Sequence, residues 1–234
     1  MPSSISGAPG FRINRSIDRV PASTIAALRE FPVAIIGDAI GRRSVMDAGI
    51  KPLVPEWKLA GPAVTVEVRP GDNLMIHVAL AMTQPGDVLV INAHGNLDCG
   101  LWGGILHACA ERRNIAGIVI DGAVRDSAEL RAGAIPVFTR GVNPCGGDKE
   151  GPGQVNFPIA CAGVPIQPGD AIVGDCDGVV VISRELAAQA AGLAQARIDA
   201  ERKWLAAIEA GEAMLPFVVP NLRRCGVLAS DEAL

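Results

Sequence analysis

The sequence predicts a layered α/β fold, and three observations carry that expectation. Short β-branched apolar runs alternate with stretches of helical composition. Pro-Gly-Asp occurs three times, and two of the copies lead directly into apolar runs. From Arg184 to about Ala210 the chain turns rich in Ala, Leu, Glu and Arg, the composition of a long terminal helix.

The first twenty residues carry no strong pattern and are expected to form an N-terminal arm, 1–20. Ala22 to Glu30 reads as the first helix, and the β-branched run Ala63 to Val68 as a strand. Pro70-Gly71-Asp72 then reads as a tight turn, since proline fixes φ at its second position and glycine accepts positive φ at the third. The helical stretch Asn73 to Met82 is followed by the same turn at Pro85-Gly86-Asp87 and a buried strand, Val88 to Ile91. Gly104 to Arg113 is helical, Gly117 to Ile120 a strand, and Ser127 to Ala132 a brief helix. Pro168-Gly169-Asp170 introduces the strand Ala171 to Val173, and Gly178 to Ile182 is another. Turn-linked strands over 155–182 imply that part of the sheet is antiparallel. The expected division is the arm, a catalytic α/β domain over 21–183, and a helix and tail over 184–234 that packs on a neighbouring subunit. The last ten residues read as a frayed end.

Composition narrows the function. With 49% hydrophobic and 20% charged residues, the chain lacks the polar excess of a disordered protein. A net charge of −4 and no dense basic patch argue against nucleic acid as a partner, which leaves a small-molecule site. Met1 to Gly7 shows no basic stretch followed by an apolar run, and no later segment reaches membrane-spanning length. The expectation is a cytoplasmic protein without a membrane partner. The six cysteines are scattered without the spacing of a disulfide framework or zinc ribbon, and most read as small core residues.

The run Ile118 to Asp126 carries the most chemistry. A buried strand ends in a small-residue turn that presents Arg125 beside Asp126, at the strand end where open α/β sheets hold ligands. Arginine offers a planar fork to a carboxylate or enolate oxygen, and aspartate is a hard oxygen ligand for Mg²⁺ or Mn²⁺. The competing reading is a surface ion pair with Asp126 as N-cap of the next helix. A second candidate is Gly100 to His107, a glycine-rich loop whose helix start could cradle a carboxylate, or a simple tight turn. His77, His94 and His107 lack ligand spacing and read as structural, with His94 the best placed of them, beside Asp98. None of the four lysines, Lys51, Lys58, Lys149 and Lys203, sits in an apolar strand, so imine chemistry is disfavoured. Asp175 and Asp177 could bind a cation, but a hairpin turn at Asp177-Gly178 explains them more simply. Glu201 on the terminal helix reads by itself as a solvated charge.

Taken together, these segments resemble the 4-hydroxy-4-methyl-2-oxoglutarate / 4-carboxy-4-hydroxy-2-oxoadipate aldolases and their relatives, the regulator of ribonuclease activity A proteins. The resemblance covers roughly 25–215. Its core is Gly104, twenty intervening residues, Arg125-Asp126, two more and Glu129, supported by Pro70-Gly71-Asp72-Asn73 and by Gly151 to Asn156. It implies an α/β/β/α fold of the swivelling-domain type, with the long C-terminal helix, assembled as a homotrimer or homohexamer with sites between subunits. It also implies a divalent-metal (class II) aldolase that cleaves 4-hydroxy-2-oxo acids to pyruvate and decarboxylates oxaloacetate. On that resemblance Asp126 ligates Mg²⁺ or Mn²⁺, Arg125 contacts the pyruvyl oxygen, and backbone groups of Gly103, Gly104, Ile105 and Leu106 hold the substrate carboxylate. Glu201 of a neighbouring subunit completes the outer metal shell. Many such aldolases carry Gly-Asp where this chain has Gly103-Gly104, so Asp98 or His94 is a candidate to supply the missing acidic group. The rival implication is a non-enzymatic regulator that binds a ribonuclease or helicase. A methyltransferase is disfavoured by the lack of a dinucleotide-type glycine fingerprint.

Overall fold

The computed structural model describes residues 4–6 and 8–232. Residues 1–3 and 7 of the expected arm, and 233–234 of the expected frayed end, lie outside the described residues. Along the chain the elements are β1 (Ser4–Ser6), β2 (Phe11–Asn14), α1 (Ala22–Arg29), α2 (Val33–Ala39), β3 (Lys51–Pro52), β4 (Leu59–Val68), α3 (Leu74–Met82), β5 (Val88–Trp102) and α4 (Gly104–Arg112). There follow β6 (Gly117–Val124), α5 (Ser127–Ala132), β7 (Val137–Val142), β8 (Gly153–Val155), β9 (Ile159–Cys161), β10 (Val164–Ile166), β11 (Ala171–Asp175), β12 (Gly178–Ile182), α6 (Arg184–Glu209) and α7 (Val218–Arg224).

The central strands β4, β5, β6 and β7 pair in parallel and in sequence order. Because every crossover steps in the same direction, the right-handed rule puts α3, α4 and α5 on one face. That face is a single core in which Met75, Ile76, Leu80, Leu106, Ala110 and Leu130 meet Val64, Val66, Leu89, Ile91, Ile118 and Ile120. The other face, through Val88, Val90, Val119 and Phe138, packs on a second β layer made by Ile172, Val179 and Val181 with Ile159, Val164 and Ile166. The outer side of that layer, Val173, Val180 and Ile182, is covered by Ile25 and Leu28, Val33 and Ile36, and the first turns of α6 through Ala187, Ala190 and Ala194. The order is therefore helix, sheet, sheet, helix.

Side-chain alternation explains why these strands read as unbroken apolar runs. Along β12, Val179 and Val181 face one core while Val180 and Ile182 face the other, as a strand buried on both faces requires. The expected antiparallel portion is present as the β11–β12 and β9–β10 pairs, with β11 also antiparallel to the first half of β4.

Several elements depart from the sequence reading. The arm contributes β2, which pairs in parallel with β8. Helix α2 was hidden behind β-branched Val33, Ile35 and Ile36. It starts where the Asp175 carboxylate accepts the Val33 amide at 2.9 Å, a contact from 142 positions away. The other Asp175 oxygen accepts the Asp177 amide at 2.9 Å, so this carboxylate closes the β11–β12 hairpin, in keeping with the turn reading. Strand β5 runs on through the polar stretch to Trp102, with register breaks between Asn92 and Trp102, so Gly100 to Trp102 belong to a strand rather than a loop. The cysteines are mostly outside the core: Cys161 is buried, Cys99 half-buried, and Cys109, Cys145, Cys176 and Cys225 exposed.

Two compact units divide the chain, residues 1–194 and 195–234. Within the second, the Trp204 and Phe217 rings pack at a tilt of 58° with 5.3 Å between centroids, and the Arg197 guanidinium lies 5.0 Å from the Trp204 ring centroid. Among the described residues no helix is long and apolar enough to cross a membrane.

Phe138 is fully buried between the two β layers, and its ring fits because position 174 is glycine: a Cβ there would lie 3.0 Å from Phe138 Cζ. Phe138→Ala is expected to cost about 3–5 kcal/mol of unfolding free energy, read as a shift in the urea midpoint.

Candidate active site

Strand β6 delivers Arg125 and Asp126 to the C-terminal edge of the parallel sheet. The Arg125 amide donates to the Trp102 carbonyl at 2.8 Å, holding the ends of β5 and β6 together. Asp126 then adopts left-handed backbone, φ +54° and ψ +37°, sparsely populated by non-glycine residues though least costly for Asp and Asn. It occupies the N-cap position of α5, but its carboxylate makes no hydrogen bond to that helix. Oδ2 instead accepts the Gly104 amide at 3.0 Å, at the start of α4, and lies 3.4 Å from Arg125 Nε. Of the two readings left open by the sequence, the capping one fails at the side chain. The carboxylate is turned from its own helix to the positive end of another.

Glycines make this arrangement possible. A Cβ at Gly103 would come within 2.6 Å of Asp126 Oδ2 and 2.9 Å of Arg125 Cγ. One at Gly100 would meet Arg125 Cβ at 2.7 Å, and one at Gly146 would meet Arg125 Nη1 at 2.6 Å. The guanidinium therefore lies in a trough cleared by Gly100, Gly103 and Gly146. At Gly104 the added atom would sit 2.3 Å from a Glu129 carboxylate oxygen. The place of a residue-104 side chain is taken by the acidic group of Glu129, one turn into α5. Asp98 and His94, the sequence candidates for that acidic group, point elsewhere. Asp98 accepts a hydrogen bond from Asn96 at 3.2 Å, and His94 pairs with Glu67 at 3.4 Å beside a separate hollow.

A cavity of about 110 Å³ opens against Arg125. Its walls are Gly100, Leu101, Gly103, Ile105 and Leu106 from β5 and the start of α4, Asn73 and His77 from the start of α3, and Gly147 and Lys149 from the loop before β8. Of the residues singled out in the sequence, Gly103, Ile105, Leu106 and Arg125 thus line one cavity. Gly104 stands behind with its amide on Asp126, and Glu201 lies in the second unit, where Arg197 pairs with it at 3.0 Å. His107 is buried and does not line the cavity; neither ring nitrogen makes a hydrogen bond, Nε2 lies 3.7 Å from a Glu111 carboxylate oxygen, and burial lowers its pKa.

Asn73, His77 and Lys149 are the residues the sequence reading passed over. In the sequence His77 reads as structural, and Lys149 only as a lysine unsuited to imine chemistry. Burial, then the nearby Lys149 charge, lowers the His77 pKa. Asn73 Nδ2 donates to the Leu101 carbonyl at 3.1 Å, while its buried Oδ1 has no partner. The signal lay in Pro70-Gly71-Asp72-Asn73. Gly71 has φ +81°, as the turn requires, and the fully buried Asp72 caps α3 through the Leu74 amide at 2.9 Å. Its other oxygen accepts the amides of Glu150 at 2.7 Å and Gly151 at 2.9 Å, which fastens the loop carrying Lys149.

Fold and site together define a layered α/β protein with a cation and a carboxylate presented side by side at the end of a central parallel strand. The RraA-like family profile, Aldolase/RraA, matches residues 33–181, and the chain belongs to that family. A protein of Halalkalibacterium halodurans that carries the provisional name 4-hydroxy-4-methyl-2-oxoglutarate aldolase is 42% identical over 160 residues, 68% of this chain and 76% of its own length. Among solved structures, an uncharacterized protein from Pseudomonas syringae pv. tomato superposes with TM-score 0.73 at 30% identity, covering 84% of this chain and 97% of that one. Streptomyces coelicolor RraAS2, described as an unusual member of the RNase ES inhibitor RraA protein family, superposes with TM-score 0.67 at 30% identity, covering 79% and 96%.

Asp72 offers a test of the loop anchor. Burial alone would raise its pKa, but the amides of Glu150, Leu74 and Gly151 and the Arg69 charge outweigh burial and hold it below the ordinary carboxylate value. A depressed native pKa contributes stability that is present above the unfolded value of about 3.9 and is lost as pH falls through the native one. Asp72→Asn is expected to lower unfolding free energy by about 2 kcal/mol at pH 7. The gap from wild type should shrink as denaturation is repeated at pH values below about 4.

Proposed function

We propose that the protein is a divalent-metal-dependent carbon–carbon lyase that cleaves 4-hydroxy-2-oxo acids to pyruvate and decarboxylates oxaloacetate. The observation that carries this reading is the Asp126 carboxylate, held by the Gly104 amide with Arg125 at 3.4 Å beside a small cavity. The names of relatives support the lyase class.

The residues fit a small hard cation. Asp126 is 41% exposed at its side chain, so its carboxylate is open to a ligand, and the exposed Glu129 brings a second carboxylate to the start of α4. One or two carboxylates with room for water is the donor set that Mg²⁺ or Mn²⁺ favours. Asp126 would hold the ion, with Glu201 of a neighbouring copy in a homotrimer or homohexamer completing the outer shell. When bound, such an ion supplies an electrophile for the 1-carboxylate and 2-oxo oxygens.

The chain's own groups do the rest. Arg125 places a fixed positive charge where negative charge develops on the pyruvyl oxygen as the bond beside the 2-oxo group breaks. The first amides of α4, at Ile105 and Leu106, lack carbonyl partners one turn back and can donate to the substrate carboxylate. Lys149 and His77 at the same cavity provide a second anion position, which suits substrates with two carboxylates. Loss of CO₂ from oxaloacetate and cleavage of the hydroxy acid generate the same enolate, so one site serves both reactions.

Pyruvate release from 4-hydroxy-4-methyl-2-oxoglutarate and from oxaloacetate should require Mg²⁺ or Mn²⁺ and stop with chelator. Asp126→Ala should reduce kcat about 100-fold or more, and Arg125→Lys nearly as much. Equal rates with and without chelator would sink the metal mechanism. Capture of a ribonuclease by a protein without lyase activity would favour the regulatory reading suggested by the Streptomyces relative.

Glu129 can be separated from these two. Gly104→Ala displaces only the mobile end of the Glu129 side chain, so stability should change little while turnover falls. Glu129→Gln, which keeps the shape, should reproduce that fall. Full activity in Glu129→Gln would remove Glu129 from the site.

A further inference from the structure

Cys99 and Cys145 are 46 positions apart in sequence, yet their sulfurs lie 3.8 Å from each other. Among the described residues this is the one contact between thiols. The backbone imposes it. The Gly100 amide donates to the Cys145 carbonyl at 2.8 Å, and Gly100 pairs with Gly146 in a parallel bridge. Asn143 adds a clamp, since its Nδ2 donates to the Leu97 carbonyl and its Oδ1 accepts the Cys145 amide, both at 2.8 Å. The cysteines are thus presented side by side, Cys99 from the extension of β5 and Cys145 from the loop after β7, at ordinary sulfur contact distance. A disulfide requires the sulfurs to close to about 2.05 Å.

The same two segments line the cavity, through Gly100 and Gly147. Gly100 follows Cys99 and Gly146 follows Cys145, and these are two of the three glycines that clear the trough for the Arg125 side chain. Whatever fixes Cys99 to Cys145 also fixes that wall.

We propose that Cys99 and Cys145 are a reversible disulfide site, oxidised by exchange with a low-molecular-weight disulfide such as oxidised glutathione, and that the bond stiffens the wall against which Arg125 lies. Cys145 is exposed and enters first: its thiolate attacks one sulfur of the reagent, and one glutathione thiol leaves. Cys99 then attacks the Cys145 sulfur and expels the second glutathione. Two protein S–H bonds give way to one S–S bond, the two electrons reduce the reagent disulfide, and the protons end on the released thiols. The second step is favoured because a thiol already in contact has an effective concentration far above that of a second glutathione. Burial, the hydrogen bond to Cys145 and the charges of Asp98 and Asp148 hold the Cys99 thiol above its ordinary pKa. The ring closure therefore speeds up as pH rises.

The full-length protein is equilibrated in glutathione buffers from reducing to oxidising, trapped with an alkylating reagent and mapped by peptide mass spectrometry. The expected product is an intrachain Cys99–Cys145 cross-link, in roughly tenfold excess over any other cysteine pair, that disappears with dithiothreitol. Amide hydrogen exchange over 97–102 and 143–148 should slow several-fold in the oxidised form, and should not respond to oxidant in Cys145→Ser, an exposed position where folding is undisturbed. Glutathione adducts without the cross-link, cross-links only between copies, or exchange unchanged on oxidation would each overturn the proposal. None of these readouts depends on the lyase reading.

Discussion

One hydrogen bond organises the candidate site: the Asp126 carboxylate accepting the Gly104 amide. It joins the turn after β6 to the turn after β5, so that two crossover helices start against each other. Left-handed backbone at Asp126 costs on the order of 1 kcal/mol or more. A charge-assisted bond at a helix start returns a comparable amount. The strain is thus held in place by a contact that also sets the carboxylate 3.4 Å from Arg125, which lines the cavity.

The fold supplies the edge on which this happens. Strands β4 to β7 run in parallel and in order, so their C-terminal ends share one side of the sheet, where ligands of open α/β sheets bind. With three helices on one face and a second β layer on the other, neither face is available, and the functional groups gather at the rim. Another wall of the cavity comes from a different part of the chain. Asp72 binds the amides of Glu150 and Gly151, and through them seats Lys149 at the cavity that Arg125 also lines.

Charge in the cavity is divided. Arg125, Lys149 and the amides of α4 are suited to anions, whereas Asp126 and Glu129 stand behind the glycine pair and are suited to a small cation. On the proposed function, an anionic substrate and a divalent ion would share one rim without the cavity walls repelling the substrate. The thiol pair sits on the same wall, which couples its chemistry to the room left for Arg125.

Much of this was legible in one dimension. Strands buried on both faces announce themselves as short β-branched runs, and Pro-Gly-Asp and the terminal helix follow from backbone preferences that act within a few residues. Arg125 and Asp126 could be picked out because a strand, a small-residue turn and two opposite charges are contiguous. Helix α2 was not legible, because its start depends on a carboxylate 142 positions away. Nor was the continuation of β5, whose polar residues pair only through an irregular register. The sequence by itself determined the local elements and the identity of the charged pair, since these rest on propensity, periodicity and adjacency. Tertiary structure alone decided which helix Asp126 serves, that Glu129 stands in the space over Gly104, that Lys149 and His77 share a cavity with Arg125, and that Cys99 meets Cys145. Each of those is a contact between segments far apart in the chain, fixed by packing rather than by any preference of the residues involved.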